Sequence, residues 1–221
     1  MIIFEKKMQF IICGTDTDIG KTLISSFFVR GLNSFYWKPI QSGIESETDS
    51  QSIKRIANIN KDKIINEAYT FTKPLSPHWA AELDNKIIDL ELLNLPTING
   101  PLIVETAGGL MVPITRNYLQ IDQIKKWGLP VILVCKSSLG TLNHTLLSIE
   151  ALEKRNVKIL GLVINGEKHL DNPKTLVEFS SLPIIAEFPY LKKIDSNNLD
   201  IIWAEQNIKN KLISLLTFKK D

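Results

Sequence analysis

Two cysteines in 221 residues are too few for a disulfide framework, and neither Cys13 nor Cys135 stands in a metal-binding spacing. Each closes an apolar, strand-like run, where a thiol packs as a small hydrophobe. Histidine is equally scarce. His78, His144 and His169 have no metal-ligand spacing around them and read as hydrogen-bonding residues. An excess of either charge is missing too: 26 lysines and arginines face 24 aspartates and glutamates, and the net +2 provides no field for nucleic acid. No apolar run approaches the roughly 20 residues that span a bilayer. The start, Met1-Ile2-Ile3-Phe4-Glu5-Lys6-Lys7, lacks the charged-then-apolar order of an export signal, so a cytoplasmic protein without a membrane partner is expected. Repeats, low-complexity tracts and long linkers are absent. The expectation is one domain, 1–221, large enough to bury roughly 70% of its unfolded surface in a single core.

What the chain does have is an alternation of apolar strands and helical segments. Strand signals occur at Met8-Gln9-Phe10-Ile11-Ile12-Cys13, Ser34-Phe35-Tyr36-Trp37, Leu102-Ile103-Val104-Glu105, Val131-Ile132-Leu133-Val134-Cys135, 159–164 and 184–187. Segments following the loop after the first strand, and 50–58, 119–127, 142–155, 172–181 and 200–217, have helix length and mixed polarity. Continuous apolar strands separated by helices predict an α/β fold, a mostly parallel sheet with helices on both faces. Such sheets place ligands beyond the carboxyl ends of their strands. Residues 59–100 are the least regular and are expected to form an excursion near the site.

Between the first strand and helix lies Gly14-Thr15-Asp16-Thr17-Asp18-Ile19-Gly20-Lys21-Thr22. Strand, phosphate loop and helix in that order predict nucleoside triphosphate binding. Backbone N–H groups and the helix dipole surround polyphosphate, Lys21 neutralises the outer phosphates, and the Thr22 hydroxyl suits Mg²⁺. The usual first glycine is Thr15 here, with Gly14 one place early. Asp16 and Asp18 put carboxylates beside an anion, which requires either a compensating cation or a purely local role as turn and cap residues.

Unusual polar residues gather at other strand ends. The second strand runs into Lys38-Pro39-Ile40-Gln41-Ser42-Gly43, followed by Glu47-Thr48-Asp49. A third ends in Glu105-Thr106-Ala107-Gly108-Gly109, with Glu105 placed as the acidic residue of a Walker-B-like strand. Thr22, Asp49 and Glu105 make a sufficient protein ligand set for Mg²⁺, which keeps phosphate oxygens and waters. Position alone favours Asp49 as a helix cap and Lys38 as a solvated strand-end lysine whose replacement the fold hardly notices. Gly108-Gly109 suits a turn or a close backbone approach to ligand.

These motifs, with Leu139-Gly140-Thr141-Leu142-Asn143-His144, stand in the order found in dethiobiotin synthetases, which the chain resembles over most of its length. Tyr69-Thr70-Phe71, Ser76-Pro77-His78 and Phe188-Pro189-Tyr190-Leu191 extend the likeness. The resemblance implies ATP-dependent closure of the dethiobiotin ring from diaminopelargonate and CO₂ through a carbamate and its phosphoric anhydride, with ATP as co-substrate and Mg²⁺ as cofactor. It implies Lys38 and Lys21 as catalytic cations, and Thr17, Lys38 and Ser42 as substrate contacts. Asp18, Ile19, Gly20, Lys21, Thr22 and Leu23 would line the nucleotide phosphates, with Asp49, Glu105, Thr106, Ala107 and Gly108 beside them. Asn165, Gly166, Pro189, Tyr190 and Leu191 would form the base end. Leu139, Gly140, Thr141, Leu142 and Asn143 would reach across a homodimer to bind the substrate carboxylate, so that two protomers share each site.

The chain departs from the family pattern at the base end, with Asn165-Gly166 in place of Asn-Asp and Lys192-Lys193-Ile194-Asp195-Ser196 without the expected glutamate. Thr106 replaces a glycine, which is expected to tighten that loop. Competing readings are a partition-type nucleotide-switched ATPase and another P-loop amide-forming synthetase. In the related partition ATPases the loop carries a lysine where this chain has Asp16, which argues against the switch.

Overall fold

The computed structural model describes residues 8–217; the Met1–Lys7 segment lies outside them. In chain order the elements are β1 (Gln9–Gly14), α1 (Lys21–Leu32), β2 (Phe35–Trp37), β3 (Ile40–Ser42), α2 (Asp49–Ala57), β4 (Ile64–Ile65), β5 (Tyr69–Phe71), α3 (Pro77–Leu83), β6 (Leu102–Glu105), β7 (Pro113–Thr115) and β8 (Tyr118–Leu119). They continue with α4 (Gln120–Trp127), β9 (Val131–Lys136), α5 (Thr141–Glu153), β10 (Ile159–Asn165), α6 (Asn172–Ser180), β11 (Ile184–Phe188), α7 (Ser196–Glu205) and α8 (Ile208–Thr217).

Seven strands form one parallel sheet in the order β11-β10-β9-β1-β6-β2-β4. The expected α/β architecture is therefore present. Alternate residues of β1 feed two cores. Phe10 and Ile12 pack with Phe27, Phe28 and Leu199 under α1, α2, α7 and α8. Ile11 and Cys13 pack with Ile124, Leu133 and Leu152 under α4, α5 and α6. A strand buried on both faces has no polar side to expose, which is why these runs are continuously apolar. Both thiols are wholly buried, and burial pushes Cys13 up to about 12 and Cys135 to about 11. The chain crosses over from β1 to β2 and returns to β6 between them, so the order reverses beside β1, where such sheets open a crevice.

One expectation is corrected. Residues 200–217 form two helices, because Asn207 adopts a left-handed conformation (φ 52°). Gln206 is meanwhile held by the Glu187 backbone, accepting from its N–H at 3.0 Å and donating to its carbonyl at 2.6 Å. The second strand ends at Trp37 as expected, since Pro39 has no N–H for the ladder; the pairing of 40–42 with β5 in a small parallel sheet is not among the sequence expectations. That sheet, with α3 and Leu93, makes a third apolar cluster around Ile40 and Phe71. Residues 59–100 are thus ordered into short elements.

Candidate active site

Gly20 precedes α1 with φ 91° and no side chain caps its first turn, so the N–H groups there face the loop unclaimed. A side chain at Gly20 is excluded twice: by that backbone angle, and because a Cβ would lie 2.2 Å from Asn165 Nδ2. Asn165 ends β10 and donates to the Ile19 carbonyl at 2.8 Å. The loop is thereby tied to the neighbouring half of the sheet. Asp16 takes the local role: its Oδ1 accepts from Thr17 N at 2.7 Å as a turn residue. Lys21 folds back to donate to the Asp16 carbonyl at 2.7 Å.

Lys21, Thr22, Lys38, Asp49 and Glu105 converge onto one cluster from α1, α2, β6 and the turn after β2. Thr22 Oγ1 lies 2.6 Å from Asp49 Oδ1 and 2.9 Å from Glu105 Oε1. Lys38 Nζ pairs with Asp49 Oδ2 and lies 3.2 Å from Glu105 Oε1. Tyr36, a residue sequence reasoning passed over, donates its hydroxyl to Glu105 Oε2 at 3.0 Å. The signal was a tyrosine where a strand core needs only phenylalanine.

Two expectations about this cluster are corrected. Lys38 is not a solvated strand-end lysine but 6% exposed, because Pro39 turns the chain and drops the ammonium between two carboxylates. Asp49 is not the cap of α2. Thr48 is, through a reciprocal capping box with Gln51, and Asp49 at the first helical position is left to point inward. Its backbone N–H is held by Gln41 Oε1 at 3.1 Å.

The charges respond to this crowding. Burial pushes the Lys21 ammonium below its ordinary range, with Glu105 pulling against it and Lys38 adding to it. Burial alone would push Lys38 down as well, but the Glu105 and Asp49 carboxylates outweigh it and hold it above its ordinary 10.5. For Asp49, burial is outweighed by Lys38 and Thr22, and its carboxyl sits below the ordinary 3.8. Burial, then the Glu105 and Asp49 charges, raise the Tyr36 phenol well above 10.0, so it remains a proton donor at working pH.

A cavity of about 870 Å³ opens over the cluster. Of the expected phosphate and metal residues, Asp18, Gly20, Lys21, Thr22, Asp49 and Glu105 line it, with Ala107 and Gly108. Of the expected substrate contacts, Thr17, Lys38 and Ser42 do. Ser42 Oγ is buried and has no hydrogen-bond partner among the described residues. The far wall is Pro74, Leu75, Ser76 and Pro77, from the excursion the sequence placed nearby.

Other expected residues lie elsewhere. The Ile19 and Leu23 side chains turn into the core, leaving only backbone for a ligand. Thr106 is buried, its N–H and hydroxyl directed at the Ile12 carbonyl at 3.2 and 3.4 Å, so it ties β6 to β1. Asn165, Gly166, Pro189, Tyr190 and Leu191 stand outside the lining, along the same strand-end edge. Leu139, Gly140 and Thr141 border a separate cavity of about 190 Å³ with Lys136 and His144. Leu142 packs toward the core, while Asn143 is exposed.

The donors fit Mg²⁺: two carboxylate oxygens and one hydroxyl meet beside a phosphate loop, and no third carboxylate, histidine or cysteine joins them among the described residues.

Comparison with known proteins is consistent with this geometry. Residues 8–198 match the family described as the AAA domain. The chain is 43% identical over 195 residues, 88% of its length and 92% of the other's, to a protein of Rhodopseudomonas palustris strain HaA2 named ATP-dependent dethiobiotin synthetase BioD. It is 43% identical over 190 residues, 86% of its length and 90% of the other's, to a protein of the same name from Brucella anthropi. Among solved structures, a ParA family ATPase from Chlorobium tepidum shares the fold with a TM-score of 0.56 at 11% identity, covering 97% of this chain and 100% of that one.

Proposed function

The chain belongs to the ATP-dependent dethiobiotin synthetase family, and from that premise we propose how its residues divide the work. It is an ATP-dependent ligase, and its product is dethiobiotin. In the reading offered here one amine of diaminopelargonate takes up CO₂ as a carbamate and releases a proton. A carbamate oxygen then attacks the γ-phosphorus, the bond to the β–γ bridging oxygen breaks, and ADP leaves. The second amine attacks the carbonyl carbon of the resulting anhydride; the C–O bond to phosphate breaks, the nitrogen loses its proton, and the ring closes with release of phosphate.

Nothing in that sequence needs a covalent enzyme intermediate. It needs negative charge held and reactants placed in line. Lys21 and the free N–H groups of α1 receive the outer phosphates. Lys38 lies within the same cavity and carries a charge that survives burial, which suits a group set between carbamate oxygen and γ-phosphate. Ser42 and Thr17 supply hydroxyls to the substrate. Thr22, Asp49 and Glu105 would hold Mg²⁺, which supplies charge neutralisation on the phosphate oxygens when bound.

Residues 139–143 stand outside the lining of the main cavity, and Leu139 is fully exposed. That placement supports the reading in which they complete the site of a second copy in a homodimer. The described residues include no helix long and apolar enough to cross a membrane, which is compatible with a cytoplasmic enzyme of one domain acting on small molecules rather than nucleic acid.

The meeting of Thr22 Oγ1 with both carboxylates carries this assignment. Asp49→Asn and Glu105→Gln are each expected to raise the Mg²⁺ concentration needed for half-maximal ring closure by about tenfold or more. Unchanged Mg²⁺ activation in both variants would remove the site.

A further inference from the structure

Tyr36 occupies the middle of β2, in an apolar cluster where phenylalanine would fill the same space. In register it stands opposite Ile103 of β6, so its ring reaches diagonally along the strand to Glu105. Tyrosine and glutamate are both 0% exposed. A buried hydroxyl is costly unless bonded, and this one has a single partner, Glu105 Oε2 at 3.0 Å. The other carboxylate oxygen, Oε1, faces Thr22 at 2.9 Å and Lys38 at 3.2 Å. No other hydrogen bond or ion pair reaches Oε2 among the described residues. The terminal torsion of a glutamate is soft and roughly two-fold, so a donor on one oxygen decides which way the other points. Tyr36 itself lies outside the cavity lining.

We propose that Tyr36 is a positioning residue: its hydroxyl pins Glu105 Oε2 so that Oε1 is presented, pre-aimed, beside Thr22 and Asp49. The inference rests on the reading of those three residues as the Mg²⁺ set. Groups that orient a metal ligand from behind typically change metal affinity by 10–100-fold when removed. A purely structural tyrosine would change the melting temperature and leave metal dependence alone.

The test is calorimetry of ATP binding to the full chain across a Mg²⁺ series, with a melt of each protein: wild type, Tyr36→Phe, Glu105→Gln and the double variant. Tyr36→Phe is expected to shift the Mg²⁺ requirement up by about tenfold while ATP binding in EDTA stays as in wild type. In the Glu105→Gln background the same change is expected to add nothing. A lowered melting temperature with an unmoved Mg²⁺ requirement overturns the proposal, and so does a shift that persists without Glu105. If Tyr36→Phe alone does not fold, Tyr36→Met, which also deletes the hydroxyl and fills much of the same space, takes its place in the series, and a Mg²⁺ requirement unmoved from wild type overturns the proposal. Wild-type ATP binding indifferent to Mg²⁺ would sink the metal reading first and this inference with it, a result visible before any variant is made.

Discussion

Lys38 is held between Asp49 and Glu105, so its removal is felt by the fold as well as by the reaction. Lys38→Gln keeps most of the stem and a donor but leaves two carboxylates facing each other. A fully dry ion pair broken this way costs about 3–5 kcal/mol. Asp49 keeps 27% of its side chain exposed, so a loss of about 1–3 kcal/mol is expected here, read as a lower melting temperature. The pH dependence has a definite sign. The raised Lys38 contributes stability that is present below 10.5 and lost as pH climbs through its folded value. The depressed Asp49 contributes stability present above 3.8 and lost as pH falls through its folded value. The melting gap between wild type and Lys38→Gln is therefore expected to be flat across neutral pH and to narrow below about pH 4. A gap that widened in acid would contradict the pairing.

At the scale of elements, the loop before α1 and the end of β10 act as one piece, because Asn165 bonds Ile19 and fills the space over Gly20. Gly20→Ala is expected to lose nucleotide binding and destabilise the fold, through the overlap with Asn165 and through a backbone angle of 91° that costs a non-glycine residue about 1–2 kcal/mol. Adding Asn165→Ala should recover the overlap and not the angle, so a double-mutant cycle of melting temperatures is expected to show positive coupling. Independent, additive losses would mean the two residues do not press on each other. Strands were the most legible part of this chain, because burial on both faces forces continuous apolar runs. Small elements were not. The pairing of β3 with β5 depends on Pro39 ending one ladder and on partners 29 positions apart, Ile40 with Tyr69, which no local pattern reports. The break between α7 and α8 likewise comes from Gln206 binding a strand edge.

Over the whole molecule, the phosphate loop, Lys38 and Glu105 were legible because each stands at a strand end, and a parallel sheet brings such ends together. Their mutual contacts were not. Burial of Lys38, release of Asp49 from capping by Thr48, and the Tyr36 hydroxyl on Glu105 all arise from packing between elements distant in sequence. Residues 139–143 stand outside the lining of the main cavity, and the proposed homodimer with shared sites would make turnover depend on assembly. Specific activity is expected to fall with dilution in step with the dimer fraction seen by analytical ultracentrifugation; a monomer of full activity would exclude sharing. The central claim is that this one cavity couples ATP cleavage to ring closure. Its most direct test follows ADP and dethiobiotin together, with diaminopelargonate and bicarbonate present or withheld, for wild type and Lys38→Gln. The expected result is ADP formed one for one with dethiobiotin and only when both substrates are supplied, with kcat/KM lower by on the order of 10² or more in Lys38→Gln. ADP release at the same rate without substrates, or a Lys38→Gln enzyme with normal turnover, would contradict it.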